Sequence, residues 1–372
     1  MSSKIRVGIL FGGKSAEHEV SLQSAKSIIK AIDKDKYDLT LIGIDKNGQW
    51  HLCDLPKFLS SIDDPKMSWL DTACEQIAII PGKDTNQFIG MSNYKPIEPI
   101  DVIFPILHGT YGEDGTMQGL LKLINIPFVG PGVLGSAVGM DKDVMKRLLR
   151  DAGIPIGNFL VFKRSSISAS DFQDIKRQLG VPFFVKPANL GSSVGINKVK
   201  DKSQFKYALE DAFKYDQKIL IEEFIEGREI ECSILGNDNP IASEPGEIIP
   251  RHEFYSYETK YIDAEGAALK IPAELPADIV EKIKGIAVKT FKTLCCEGMS
   301  RVDFFLKDNG EVLVNEINTI PGFTNISMYP KLWEVSGIPY SELINRLIKL
   351  AIERFEAEKR IKTSFDLAGE LP

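Results

Sequence analysis

Through the first third of the chain, short apolar runs alternate with stretches whose apolar residues recur every three or four positions. Residues 5–10, 38–44, 102–107 and 127–129 have the length and composition of strands, and 20–32 and 117–124 lie between them with helical spacing. Strands that alternate with helices predict an α/β unit on a parallel sheet. The pattern weakens over 50–99, which predicts an insertion carrying a small hairpin. Further on, "MDKDVMKRLLRDAGIP" predicts a helix that begins near Asp141 and stops at Gly153, with Pro155 beyond it. Strands follow over 159–162 and 182–186, then a helix over 202–213 and the apolar strand "KILIEEFI". A helix over 278–294, a hairpin around Asn309-Gly310 and a last helix over 341–356 complete the pattern. That last helix sets Leu343, Leu347, Leu350 and Ile344, Ala351, Phe355 at three- and four-residue spacing on one face. The expected architecture is α/β and α+β, in three consecutive domains over 1–130, 131–223 and 224–372.

Composition narrows the class. With 45 Lys and Arg against 52 Asp and Glu, the formal charge of −7 argues against a nucleic-acid partner, which a net basic face would attract. No apolar run approaches the ~18 residues of a membrane span. The opening "MSSKIRVGILFGG" is a short apolar run entering glycines, which predicts a strand and not a signal peptide. The cysteines at 53, 74, 232, 295 and 296 include an adjacent pair and no C-x-x-C, so neither zinc spacing nor a disulfide frame is visible. A cytoplasmic enzyme is expected.

Two stretches carry candidate chemistry. In "SRVDFFLKDNGEVLVNEINT", Asn-Gly predicts a two-residue type I′ turn. Asp308 would then pair with Glu311, Asp303 with Glu316 and Arg301 with Asn318, all four site residues on one face. Opposed carboxylates repel, so a cation is the natural remedy, and two acids with an asparagine carbonyl suit magnesium. A solvated sheet face is the plainer alternative. In "FFVKPANLGSSVGI", Lys186 ends a strand before a loop, 189–195, whose free N–H groups can fold over phosphate. The lysine precedes the glycines, so this is not a P-loop. An ordinary surface loop beside a lysine is the alternative.

Other signals are weaker. In "LIEEFIEGREIEC", Glu229 is a candidate for ribose hydroxyls and Phe224 with Ile225 for an adenine slot, although on this stretch alone a half-buried strand followed by an exposed turn is the preferred reading. "LFGGKSAEHEVSL" lacks the dinucleotide fingerprint, and Asp45 lies too far on for a ribose acid. Glu17 and Glu19 at a helix start suit the dipole. His18 and His108 lack the spacing of a metal pair and are structural by default.

Six segments, "FGGKSAEHEVSL", "LHGTYGEDGTMQG", "VKPANLGSSVGI", "HEFYSYETKY", "RVDFF" and "NEINTIPGFT", occur in the order and approximate spacing of D-alanine–D-alanine ligases of the ATP-grasp superfamily. The chain resembles that family from Val7 to about Glu353; Ser256 stands where many relatives carry aspartate. The resemblance implies a three-domain ATP-grasp architecture with an N-terminal, Rossmann-like parallel-sheet domain. It implies ATP held by Lys142, Lys186, Ser193, Glu222, Glu223, Phe224, Ile225, Glu229, Lys260 and Phe305, with two magnesium or manganese ions on Asp303, Glu316 and Asn318. Glu17, Ser192, Tyr261, Arg301, Gly322 and Ser327 would serve the reaction: the carboxylate of one D-alanine attacks the γ-phosphoryl group, and the amine of a second attacks the acyl phosphate. Arg301 and the Gly322 N–H would stabilise the tetrahedral oxyanion, and Glu17 the first ammonium. The product would feed peptidoglycan synthesis, and the protein would be a homodimer without membrane or nucleic-acid partners. A D-alanine–D-lactate ligase, differing mainly at Tyr261, is the alternative within the family. A nucleotide-binding oxidoreductase and a silent nucleotide-binding module are alternatives outside it.

Overall fold

A computed structural model of the chain describes residues 4–63, 74–168, 171–250 and 267–362. Strands β1 (Ile5–Gly12), β2 (Tyr37–Ile44), β3 (Trp50–Cys53), β4 (Glu75–Ile79), β5 (Phe88–Gly90) and β6 (Val102–Pro105) form one sheet in the order β5-β4-β3-β2-β1-β6. Its centre, β2-β1-β6, is parallel, and α1 (His18–Ala31) makes the crossover. The continuous burial of Val7 through Phe11 is what a central strand covered on both faces requires.

Residues 50–99 are not a separate insertion. β3, β4 and β5 add to the same sheet in antiparallel register, β4 and β5 being the expected hairpin. Helix α2 (Leu55–Asp63) was not legible in the pattern. The predicted strand at 127–129 is only a parallel bridge from Phe128 to Ile103.

Three helices follow: α3 (Thr116–Leu123), α4 (Val133–Met140) and α5 (Lys142–Asp151). A β-carbon on Gly135 would stand 2.5 Å from the Cys295 carbonyl oxygen, and one on Gly139 would stand 2.7 Å from the Thr319 methyl. These two glycines, one helical turn apart, let α4 seat directly on later chain.

A second sheet is wholly antiparallel in the order β7-β10-β8-β9, from β7 (Phe159–Lys163), β8 (Phe183–Pro187), β9 (Asn197–Val199) and β10 (Lys218–Glu223). Helices α6 (Phe172–Leu179) and α7 (Lys202–Ala212) close its core around Phe172, Phe183 and Phe205. A third sheet runs β14-β13-β11-β15-β16, with β12 (Ile241–Ala242) beside β11. Its strands are β11 (Arg228–Gly236), β13 (Gly246–Pro250), β14 (Ala267–Lys270), β15 (Gly298–Leu306) and β16 (Val312–Asn318), with helices α8 (Ala277–Thr293), α9 (Met328–Val335) and α10 (Tyr340–Lys359) around it. Among the described residues no helix is long and apolar enough to cross a membrane.

The hydrophobic cores do not respect chain order. Leu343, Ile344, Leu347 and Ile348 of α10, with Trp333 of α9, pack into the same core as β1, β6 and α1. Met145 and Leu149 of α5 pack with α8 and the third sheet. Helices α9 and α10 thus cover the first sheet, and helix α5 bridges toward the third.

The β15–β16 hairpin corrects one expectation and keeps its consequence. Lys307 N–H donates to Glu311 O at 2.9 Å and Gly310 N–H to Lys307 O at 2.9 Å. The loop is therefore three residues, Asp308-Asn309-Gly310, with only Gly310 at positive φ (79°). That is the type I turn closed by a glycine bulge, not the two-residue I′ turn. Next to it, Phe304 faces Val314, yet Asp303 still faces Glu316 and Arg301 still faces Asn318. An extra residue on β16, Asn315, makes a bulge that restores the register.

Candidate active site

The second and third sheets face each other across a cavity of about 290 Å³. Its cationic wall begins at α5. Asp141 caps that helix, accepting from the Asp143 and Val144 N–H groups, each at 3.1 Å. Lys218 ties the same turn to β10, its Nζ 2.7 Å from both Asp141 oxygens and 3.1 Å from Asp143. The Lys142 N–H donates to Ala188 O at 3.0 Å. So fixed, α5 points Lys142 and Lys146, one turn apart, into the cleft.

Each lysine has a defined partner. Lys142 Nζ donates to Leu190 O at 2.8 Å and stands 3.4 Å from Glu316 Oε2, which links the two walls. Lys186 Nζ lies 2.5 Å from Glu222 Oε2, and Lys146 Nζ lies 3.1 Å from Glu222 Oε1. Burial alone would raise the Glu222 carboxyl, but Lys146 and Lys186 outweigh it and hold it at about 2. Burial likewise pulls both lysines down. Glu222 overcomes that for Lys186, which ends raised, and not for Lys146, which ends lowered.

An apolar slot adjoins this wall. Phe224 is exposed at its mouth, 6.2 Å from Phe184 between ring centroids, with Lys198 Nζ 4.3 Å from its own ring centroid. Ile225 fills the space a side chain on Gly157 would take, since a β-carbon there would lie 2.6 Å from its Cδ1. Glu223 clamps the slot's edge, accepting from Asn158 N–H at 2.7 Å and Asn158 Nδ2 at 3.0 Å. Glu229 and Phe305 oppose each other on β11 and β15 and both line the cavity.

The opposite wall is acidic. Asp303 accepts from Arg301 Nε at 2.7 Å and Nη2 at 2.8 Å, and from Asn318 Nδ2 at 2.9 Å. Glu231 adds a second carboxylate 2.8 Å from Arg301 Nε. Burial would lower the guanidinium, but Asp303 and Glu231 drive its pKa well up. Among the described residues, no three His, Cys, Asp or Glu side chains form a ready metal cage. The donor set is two carboxylates and an amide on one sheet face, hard oxygens that fit a magnesium-type ion.

A second cluster of polar groups joins the loop 189–195 to the N-terminal part of the chain. Glu17, at the start of α1, does not cap that helix; its carboxylate accepts a hydrogen bond from the Ser192 hydroxyl instead. Ser192 and Ser193 both hold positive φ (53° and 60°), so the loop after Lys186 carries local strain while turning toward Glu17. Glu113 accepts from Gly109 N–H at 2.6 Å and Ile320 N–H at 3.1 Å. Desolvation first, and Glu17 second, push its carboxyl up to about 8. Burial keeps His108 below its usual value, so the neutral ring donates from Nδ1 to Ile320 O at 3.1 Å and accepts at Nε2 from Ser24 Oγ at 3.2 Å. Phe323 N–H reaches Ser24 Oγ at 3.4 Å. Residues 320–323, which include Gly322, are thereby clipped to the first sheet. Ser327 Oγ accepts from Thr324 N–H at 3.1 Å and lies 2.7 Å from Thr324 Oγ1.

The sequence comparisons match a D-ala D-ala ligase N-terminus over residues 6–131 and a D-ala D-ala ligase C-terminus over 148–349. The chain is 57% identical over 362 residues to a D-alanine–D-alanine ligase of Shouchella clausii (strain KSM-K16), covering 97% of this chain and 98% of that protein. The chain belongs to the D-alanine–D-alanine ligase family. It is also 54% identical over 361 residues to D-alanine–D-alanine ligase A of Escherichia coli (strain K12), covering 97% and 99%. The solved D-alanine–D-alanine ligase of Coxiella burnetii superposes with a TM-score of 0.86 at 41% identity, covering 96% of this chain and 97% of that one. The VanG D-Ala:D-Ser ligase of Enterococcus faecalis does so with 0.83 at 36%, covering 94% and 100%. The three-sheet arrangement is thus the ATP-grasp architecture of these ligases.

Measured against the expected site of such a ligase, Lys142, Lys186, Ser192, Ser193, Glu222, Glu223, Phe224, Ile225, Glu229, Phe305 and Glu316 line one cavity. Asp303, Arg301 and Asn318 adjoin Glu316 on the same sheet face. Glu17 joins through Ser192, while Gly322 and Ser327 sit beside each other on the 320–327 segment. Lys260 and Tyr261 lie outside the described residues. Sequence reasoning missed Lys146, Glu231, Glu113 and the tie made by His108. Lys146 had a usable signal, its four-residue spacing from Lys142 on a helix. Glu113 sits in "GEDG", which by itself reads as an ordinary turn; the segment "LHGTYGEDGTMQG" carried the resemblance without singling out this acid.

Proposed function

We propose that the chain joins two D-alanine molecules into D-alanyl-D-alanine, converting ATP to ADP and phosphate and supplying peptidoglycan synthesis. The observation that carries this reading is one cleft with a lysine wall and an acid wall, whose loop residue Ser192 holds the Glu17 carboxylate. ATP would lie in the cleft with its base in the Phe224–Ile225 slot beside Glu222, its ribose on Glu229 and its phosphates on Lys142 and Lys186. Asp303, Glu316 and Asn318 would hold two magnesium or manganese ions, which when bound neutralise phosphate charge. Glu17 would hold the ammonium of the first D-alanine, and Ser192 would fix Glu17. With its carboxylate aimed at the γ-phosphoryl group, that substrate needs positioning more than a protein nucleophile. Arg301 and the Gly322 N–H would then stabilise the oxyanion formed when the second amine attacks. Lys260, Tyr261 and Ser327 would complete the enclosure.

The same reading includes a division at about residues 130 and 223, each part built on its own sheet, a homodimer and a cytoplasmic location where ATP is available. Phosphate release from ATP and magnesium with D-alanine tests the activity. It is expected with D-alanine and lost in excess EDTA; equal turnover with L-alanine would overturn it.

A further inference from the structure

The nucleotide cleft contains one cation too many for its expected chemistry. Lys142 already reaches toward Glu316, and Lys186 ends its strand at the phosphate loop. Lys146 is neither at the loop nor at the acid wall. It is 3% exposed, its ammonium 5.9 Å from the Phe159 ring centroid and 3.1 Å from Glu222 Oε1. A buried ammonium of this kind is costly unless it compensates another charge.

Glu222 is that charge, and its other partner is not free to stay. Lys186 sits 2.5 Å from Glu222 Oε2, and on the nucleotide reading above Lys186 must give its charge to phosphate oxygens. Glu222 is only 6% exposed, and a nucleotide filling the cleft that it lines would keep water from taking the place of a departing lysine. The other charges facing this corner are Glu316 from β16 and Glu229 from β11, both acids that act on Lys186 and worsen the deficit. Lys146 cannot follow Lys186, because the first turn of α5 is held by Asp141, Lys218 and Ala188. Glu222 Oε1 therefore keeps Lys146 Nζ, 3.1 Å away, as its charge partner when Lys186 turns to phosphate.

We propose that Lys146 is a positioning residue that keeps Glu222 charge-compensated while Lys186 passes from Glu222 to the triphosphate. Its role is to make ATP binding possible without stranding a buried carboxylate. This rests on the ATP reading and adds to it a hand-off between two lysines.

The test uses the full chain and compares wild type, Lys146→Met, Lys146→Arg, Glu222→Gln and the double variant Lys146→Met/Glu222→Gln. The readouts are ADP affinity by calorimetry and the ATP KM and kcat by phosphate release. Lys146→Met is expected to raise the ATP KM and ADP Kd by roughly tenfold to a hundredfold, with kcat changed far less. Lys146→Arg should restore most of the affinity. The decisive arm is the double variant, because removing the carboxylate's charge removes the need for Lys146. Its affinity should return to that of Glu222→Gln alone, a rescue that a packing role for Lys146 would not produce. Losses that simply add in the double variant, or an unchanged KM in Lys146→Met, overturn the hand-off. A wild type that binds no ADP would overturn the nucleotide reading itself, and the hand-off with it. If Lys146→Met does not fold, the arginine and double variants decide between the same outcomes.

Discussion

Glu222 in the cleft and Glu113 between the Gly109 and Ile320 N–H groups are both carboxyls drawn out of water, and they end at opposite extremes. Burial pushes each upward. Two lysines reverse that at Glu222, which settles at about 2, whereas Glu17 adds to it at Glu113, which settles at about 8. The sign of the neighbours, more than depth, decides the charge state. One region is therefore built to keep a negative charge and the other to keep a proton. Arg301 belongs to both, paired with Asp303 and Glu231 and lowering Glu113 from a distance.

Removing Arg301 breaks the comparison most severely. Arg301→Met strands Asp303 and Glu231 and drives Glu113 further up. Turnover should fall ~10²–10³-fold, with D-alanine-dependent phosphate release as the assay. An undiminished kcat would remove Arg301 from the chemistry. Glu316→Gln is milder, because it removes one acid from the balanced wall and leaves β16 packed. Loss of roughly 10–100-fold in activity is expected, with the melting temperature nearly unchanged; activity should be followed across magnesium concentrations.

Stability against pH sharpens the contrast by a readout that does not depend on turnover. Below the ordinary carboxyl value of 4.5 the unfolded chain binds the proton that folded Glu222 refuses, so stability rises with pH from about 2 to 4.5. Above 4.5 folded Glu113 keeps a proton that the unfolded chain has released, so stability falls with pH up to about 8 and then levels. Glu222→Gln should flatten the acid limb and Glu113→Gln the alkaline limb, each by a few degrees in Tm at roughly 2–4 °C per kcal/mol. Identical slopes in wild type and Glu113→Gln would show that Glu113 is ionised at neutral pH. The smallest effect is expected at the slot. Gly157→Ala presses on the flexible end of Ile225 and should raise the ATP KM about two- to fivefold, leaving kcat alone.

How much of this was legible varies with how local its cause is. The central strands, the helix start at Asp141 and the long apolar face of α10 follow from residues a few positions apart. The carboxylate register at Asp303 and Glu316 was also reached from the sequence, although by two compensating errors: a loop one residue longer and a bulge at Asn315. Asn-Gly marks a turn but does not by itself choose between loop lengths, and a bulge has no separate signal in "VLVNEIN". The strands of 50–99 were unclear because they are only three to five residues long, too short for a period to show.

By itself, then, the chain determined its local periods, its turns, its helix starts and the residue types on each strand face. These depend on backbone preferences and on neighbours within one turn or one pleat. Tertiary structure alone decided which charges meet. Lys146 and Lys186 reach Glu222 from elements far apart in sequence, and Glu113 meets the Ile320 N–H only because the last helices fold back over the first sheet. Protonation is a property of such assembled neighbourhoods: a carboxyl's charge follows from the fields and donors around it, and no stretch of sequence contains them.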